Sequence, residues 1–282
     1  MTTEPVRAGS GWLALREPAD AAARSAELVE ILRPHLPTAG LLIHDLGCGT
    51  GSMARWLAPQ LSGPQRWVLH DRDAELLEHA ATNPPARSAD GADVTVETRL
   101  DDITRLDPGD LAGVSLITAS ALLDMFASDE LDRFVAGCAG AGCPVLVTLS
   151  VVGQVELNPA HPFDQLVMDA FNAHQKRRTA GGRLLGPDAA DAAAAAFEKR
   201  GLKVITRPSP WRLGREHADL AAEWLTGWVD AACEQAPELA DAAGLYARRR
   251  QAELAAGTIS ITIDHTDMLA WSTVPRGARS RS

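Results

Sequence analysis

Between positions 41 and 51 the chain reads LLIHDLGCGTG, and this segment restricts the possible folds more than any other. An apolar run (Leu41, Leu42, Ile43) ends in an acid, Asp45, and then in glycines at alternate positions, Gly47, Gly49 and Gly51. A good helix-forming stretch, Ser52 to Leu57, follows at once. This pattern predicts a buried strand, a tight glycine-rich turn and a helix N-terminus. Such a turn lets bare backbone approach a nucleotide-like ligand, because glycine adopts the required dihedrals and carries no side chain to block the approach.

The same alternation continues downstream. Apolar runs at 66–70, 94–100, 114–119 and 144–150 read as strands, several of them closing on acids: Asp71, then Asp101 and Asp102. Helical stretches are expected at 18–33, 52–60, 74–81, from Ser128, at 163–175 and at 187–200. A sixth strand is expected at 202–206, and two amphipathic helices at 215–255. The run Ile259 to Asp264 alternates with period two, as an antiparallel or edge-proximal strand would. Strand and helix alternating at short spacing predict an α/β fold with a doubly wound, mostly parallel sheet. Residues 1–10 and 275–282 lack apolar periodicity and are expected to be mobile tails.

The chain has 282 residues and a formal charge of −10, which argues against a phosphate-backbone partner; no nucleic acid is expected. The basic triplets Lys176-Arg177-Arg178 and Arg248-Arg249-Arg250 read as solvated helix faces. The four cysteines match no zinc spacing, and no acid or histidine set has recognisable metal spacing, so no metal is expected. No stretch approaches the ~18 apolar residues of a membrane span, and the N-terminal segment has no apolar leader core. The expectation is a soluble, reduced, cytoplasmic protein.

The glycine spacing after an acid, DLGCGTG at 45–51, resembles motif I of the class I S-adenosylmethionine-dependent methyltransferases. The resemblance covers residues 40–150 well, and 187–208 and 258–271 by arrangement only. It implies a seven-stranded sheet with an antiparallel last strand. It also implies S-adenosylmethionine as cofactor, its methionine part cradled by Asp45, Gly47, Cys48, Gly49 and Gly51. The ammonium and sulfonium of that cofactor make an acid beside the turn useful. Asp71, 20 residues past Gly51, stands where the family's acid reaches the ribose diol, with Arg72 beside it and Asp73 as competitor. Asp102 with Ile103 resembles the adenine contact, with Asp101 close behind. Ser120, after strand four, begins the segment that faces the methyl group. Arg16 and Arg24 belong to a covering N-terminal segment where an arginine can pair with the methionyl carboxylate. Eight residues apart, only one of them need point inward, and a salt bridge to Glu17 or Asp20 is the structural alternative.

The amino-methylating sequence that many family members carry after strand four is absent; Asn83-Pro84-Pro85 lies after the second helix of the sheet and reads as a helix stop. Candidate bases are Asp124, His161 and His174. The expected organisation is an N-terminal helical cover, 1–39, and a methyltransferase domain, 40–282, with lid insertions at 153–184 and 215–255. These are expected to enclose a small-molecule acceptor, whether methylated at O, N or C. The alternatives are a non-methylating S-adenosylmethionine-binding protein and an RNA or protein methyltransferase.

Overall fold

A computed structural model describes residues 8–106 and 108–273. Helices α1 (Ser10–Ala23) and α2 (Ala26–Leu32) lead into β1 (Leu41–Leu46), α3 (Ser52–Leu57), β2 (Gln65–Asp71) and α4 (Ala74–Thr82). Then come β3 (Val94–Leu100), β4 (Leu116–Ser120), α5 (Ser128–Gly140), β5 (Val145–Asn158) and α6 (Phe163–Gln175). A two-rung hairpin, β6 (Arg178–Thr179) and β7 (Gly182–Arg183), precedes α7 (Ala189–Lys199), β8 (Leu202–Pro208) and β9 (Trp211–Leu213). The chain closes with α8 (Ala218–Gln235), α9 (Ala240–Ala255) and β10 (Ser260–Ser272).

Seven strands form one path in the order β3-β2-β1-β4-β5-β10-β8, and β9 adds a short eighth strand against β10. Strands β1 to β5 run parallel, and β10 is antiparallel to both β5 and β8. The order reverses between β1 and β4, so a crevice opens beyond their carboxyl ends, where open α/β sheets bind ligands. On one face, Phe134, Val135 and Cys138 of α5 and Phe197 of α7 pack on Ile117, Val145 and Val147. On the other, Leu28 and Leu32 of α2 and Met53 and Leu57 of α3 cover Ile43, Trp67 and Leu269.

A third core stands apart from the sheet. Strand β5 does not stop near Ser150; it runs on to Asn158, paired with β10 as far as Ser260 across two register shifts. This ribbon carries Leu157, Ile261 and Ile263 into a cluster with Val167 and Met168 of α6, Leu225, Trp228 and Val229 of α8, and Tyr246 and Leu254 of α9. The expected strand at 259–264 is therefore the start of a longer strand, which lies inside the sheet with β8 beyond it.

Two other expectations change. The single helix at 18–33 is two helices, because Ser25 caps α2 with its hydroxyl accepting from Leu28 N at 3.3 Å, which breaks the chain direction after Arg24. And the 248–250 triplet is only partly a solvated face: Arg248 and Arg249 are exposed, but Arg250 is completely buried. The expected tails fall mostly outside the described residues. No described helix is long and apolar enough to cross a membrane.

Candidate functional site

The glycine turn sits at the carboxyl end of β1 with Gly47, Gly49 and Gly51 all at positive φ (72°, 55° and 83°). Close approach accompanies the unusual dihedrals. A Cβ on Gly47 would lie 2.9 Å from Leu122 Cδ1, and one on Gly49 would lie 3.2 Å from Leu13 Cδ1 of the helix above. The amides of Gly47 and Cys48 both donate to His70 O at 2.9 Å, tying the turn to β2. Asp71, the last residue of β2, takes Gly49 N at 2.8 Å and Asp73 N at 3.0 Å on its two oxygens. Asp73 has a different job, accepting Glu75 N at 3.0 Å as the N-cap of α4.

Asp45 is buried at the end of β1. The Thr118 hydroxyl donates to one carboxylate oxygen at 2.7 Å, and the other is buried with no partner among the described residues. Loss of hydration pushes its carboxyl up to about 6, against the opposing pull of the Thr118 hydroxyl and the Arg24 charge.

Arg24 lies at the break between α1 and α2 and is 4% exposed. Its Nη2 donates to the hydroxyls of Ser52 and Ser120, each at 3.1 Å, and its Nη1 reaches Ser52 O at 3.5 Å. Its guanidinium also stands over the Trp56 ring at 5.5 Å. Among the described residues no carboxylate is paired with it; burial lowers its pKa, with Asp20, Asp45 and Asp267 pulling the other way from a distance. Arg16 is different: it grips Asp20 with Nε at 3.0 Å and Nη2 at 3.1 Å, and lies 4.8 Å over the Trp211 ring. The Trp211 indole N–H completes that group, donating to Asp20 at 2.9 Å.

Beyond the turn, Asp124 occupies a short 3-10 turn after β4. It is half-buried, and loss of hydration pushes its carboxyl up to about 6, opposed by the charges of Arg16 and Arg177. His265 of β10 faces the same Arg16. Its ring stands 5.3 Å from Trp211, and its Nδ1 is buried with no partner among the described residues. Burial, with Arg16 adding to it, takes this imidazole down to about 3, so it is neutral at physiological pH. Arg16 thus links an acid whose pKa lies near neutrality, a neutral imidazole and an indole wall.

Residues 43–141 match a family model described as a methyltransferase domain, and they span the glycine turn, the β2 acid and the segment after β4. In that segment the chain is similar to a methyltransferase domain. No curated protein matches it. Among solved structures, it is similar to a cyclopropane synthase from Mycobacterium tuberculosis (15% identity, 93% of this chain and 94% of that chain covered, TM-score 0.49). It is also similar to a geranyl diphosphate C-methyltransferase from Streptomyces coelicolor A3(2) (15%, 88% and 80%, TM-score 0.44). A third is a magnesium protoporphyrin IX methyltransferase from Synechocystis PCC 6803 (13%, 73% and 83%, TM-score 0.45).

Within the structure the sequence-derived candidates fall into separate places. Asp45, Gly47, Cys48, Gly49, Gly51, Asp71, Arg24 and Ser120 converge on the crevice at the strand-order reversal. Cys48 is buried there, and dehydration raises its thiol pKa well above the usual range. Arg72 is exposed. Asp102 is bound up in its own turn, accepting Thr104 N at 3.1 Å and the Thr104 hydroxyl at 2.7 Å, while Ile103 leans on the α5-side core. Asp101 instead accepts from His70 Nδ1 at 2.9 Å.

One candidate histidine, His161, is remote from Ser120 along the chain. Ten residues separate Thr148, paired with Ser120, from the end of β5, roughly 30 Å of strand. His161 lies just beyond that end, its ring 5.4 Å from Tyr246 and its Nδ1 accepting Phe163 N at 3.1 Å. His174 faces Glu234 of α8 at 3.3 Å. The His161 contacts belong to the distal unit, whereas His174 lies next to Arg177, whose charge acts on Asp124. Two residues that sequence reasoning passed over belong here. Leu100 is 62% exposed directly beside Asp71 in the β2–β3 register, an apolar ledge next to the acid. His265 gave no signal, because a lone histidine in an alternating strand carries no motif. Among the described residues no group of three metal-ligating side chains is close enough to hold an ion.

Proposed function

We propose that this methyltransferase takes its methyl group from S-adenosylmethionine and delivers it to a small molecule enclosed between the sheet end and the distal unit. The observation that carries the cofactor reading is Arg24: a buried guanidinium, held by two hydroxyls and with no carboxylate partner among the described residues, at the mouth of a glycine turn. Such a group suits a carboxylate ligand, with which it can make paired charge-assisted hydrogen bonds. The unpartnered oxygen of Asp45 suits an ammonium, and Asp71 beside Leu100 suits a ribose diol with a flat base next to it. The donor set therefore fits S-adenosylmethionine, which supplies an electrophilic methyl carried on a sulfonium.

The residues of the chain align the acceptor, exclude water and handle a proton. Asp124 is the candidate base: with its pKa near 6 it is mostly ionised at neutral pH yet still basic enough to take a proton from a hydroxyl or ammonium group. Arg16, locked by Asp20 against Trp211, forms the wall across from it. On this reading residues 1–39 cover the cofactor, and the α6 and α8–α9 segments cover the acceptor. The net charge of −10 favours a small molecule over RNA.

The test is methyl incorporation from labelled S-adenosylmethionine into a metabolite extract, compared with total RNA and total protein. Label is expected in the metabolite fraction. Label mainly in RNA or protein overturns the acceptor reading, and tight cofactor binding without incorporation into any fraction points to a non-methylating binder.

A further inference from the structure

Arg24 is held in place by a closed ring of contacts that ends on one buried acid. Asp267 of β10 has no exposed surface. One of its oxygens accepts Ser25 N at 2.7 Å, and the other accepts Leu149 N at 2.8 Å. Each donor lies one residue from the arginine's supports. Ser25 directly follows Arg24. Leu149 directly follows Thr148, whose hydroxyl donates to Ser120 Oγ at 3.0 Å, and that oxygen also accepts Arg24 Nη2 at 3.1 Å. The path Asp267, Ser25, Arg24, Ser120, Thr148, Leu149 returns to Asp267.

The backbone on this ring is not relaxed. Leu149 sits at φ 56°, in the left-handed region that a non-glycine residue rarely adopts. The register of β10 against β5 also shifts between Thr266 and Met268, next to the acid. A buried carboxylate accepting two backbone amides from separate segments holds that kink open and fixes the start of α2 at the same time. Neither amide could be satisfied by a side chain without acceptor oxygens.

We infer that Asp267 is a positioning residue: by holding Ser25 and Leu149 together, it sets the guanidinium of Arg24 where it meets the carboxylate of the cofactor's amino-acid tail. The inference rests on the proposed pairing of Arg24 with that carboxylate. Asp267 touches no ligand atom itself, so its effect must be confined to the part of the ligand that Arg24 reads.

Two ligands separate that effect from general damage. S-adenosylhomocysteine carries the amino-acid tail; 5′-methylthioadenosine has the same nucleoside and thioether without it. Calorimetric titration of both is done on the full chain and on Arg24→Ala, Asp267→Asn and Thr148→Val. Asparagine keeps the volume of Asp267 but turns an NH2 toward one of the two amides. Thr148→Val is the milder variant, since it removes only the hydroxyl under Ser120 and keeps the shape of the side chain.

For Asp267→Asn the expected result is at least about a tenfold loss of S-adenosylhomocysteine affinity, with methylthioadenosine affinity within about twofold of the unmodified chain, the same pattern as Arg24→Ala. Thr148→Val should show that selectivity at about threefold. Equal losses for both ligands, or no loss for either, overturn the positioning role. If Asp267→Asn does not fold, the selectivity of Thr148→Val decides alone, and its absence is equally fatal. A failure of the cofactor reading looks different: the unmodified chain then binds neither ligand.

Discussion

The molecule buries two arginines at opposite ends of the β5–β10 ribbon and treats them in opposite ways. At the distal end, Arg250 bonds both oxygens of Asp164 at 2.8 and 2.7 Å, Glu253 at 2.7 Å and Pro159 O at 3.0 Å. Tyr246 adds its hydroxyl to the same Asp164 at 2.6 Å. Burial alone would lower the pKa of Arg250, but the bonds to Asp164, Glu253 and Tyr246 more than reverse this and raise it. At the sheet end, Arg24 has hydroxyls and a carbonyl instead of a carboxylate, and its pKa moves down. Burial is common to both residues, so burial does not mark a functional charge. A charge satisfied by its own chain is a fastening; one left short of a counter-ion is where a ligand completes the structure.

The largest effect should come from breaking the fastening. Asp164→Ala leaves Arg250 buried without its main partner and should destabilise the fold by about 3–5 kcal/mol. Affinity for S-adenosylhomocysteine at low temperature should stay the same, as checked by denaturant melts and calorimetry. A loss of affinity in the folded variant would merge the two ends into one site. Next is Gly49→Val, which places a branched side chain at φ 55° under Leu13 and should weaken S-adenosylhomocysteine binding by at least about a hundredfold. Normal binding would make the turn purely structural. Asp71→Ala should cost about tenfold to a hundredfold in the same assay, the equivalent of bonds to one charged group.

The smallest effect is in pH. With cofactor saturating, turnover should rise about tenfold from pH 5 to pH 7 as Asp124, held up to about 6, loses its proton and becomes a base. Asp124→Asn should flatten that limb. An unchanged limb in the variant would assign the ionisation to another group, with Asp45, also near 6, the first to examine.

What the amino-acid order revealed follows the same division. The glycine turn, the acid closing β2 and the alternation of strand and helix are local patterns, each complete within a few residues, and the structure has them where the pattern says. The role of Asp73 as a helix cap was readable because capping is local. The distal unit was not readable in this way. It depends on Asn158 pairing with Ser260, a contact between residues far apart in the chain, and nothing near Ser150 signals that the strand should continue. The choice between Arg16 and Arg24 stayed open for a related reason. Asp20, one helical turn after Arg16, captures it locally, but the supports of Arg24 come from α3 and β4, and Ser25 breaks the helix that periodicity alone would have continued. His161 and His174 were candidate bases by their place in the chain; the length of the ribbon carries His161 away, while α6 turns back and sets His174 beside Arg177.

That ribbon also sets the terms for rebuilding the enzyme. The distal unit is not a loop that could be exchanged at two arbitrary points, because its inner strands are the outward continuation of two sheet strands. Anyone grafting a different distal unit would have to cut both strands at one rung, Val151 opposite His265, and rejoin them in the same register. An offset of a single residue would turn every side chain on the grafted strand to the opposite face. Ile261 and Ile263 would then point into water, and the distal core would lose its inner wall.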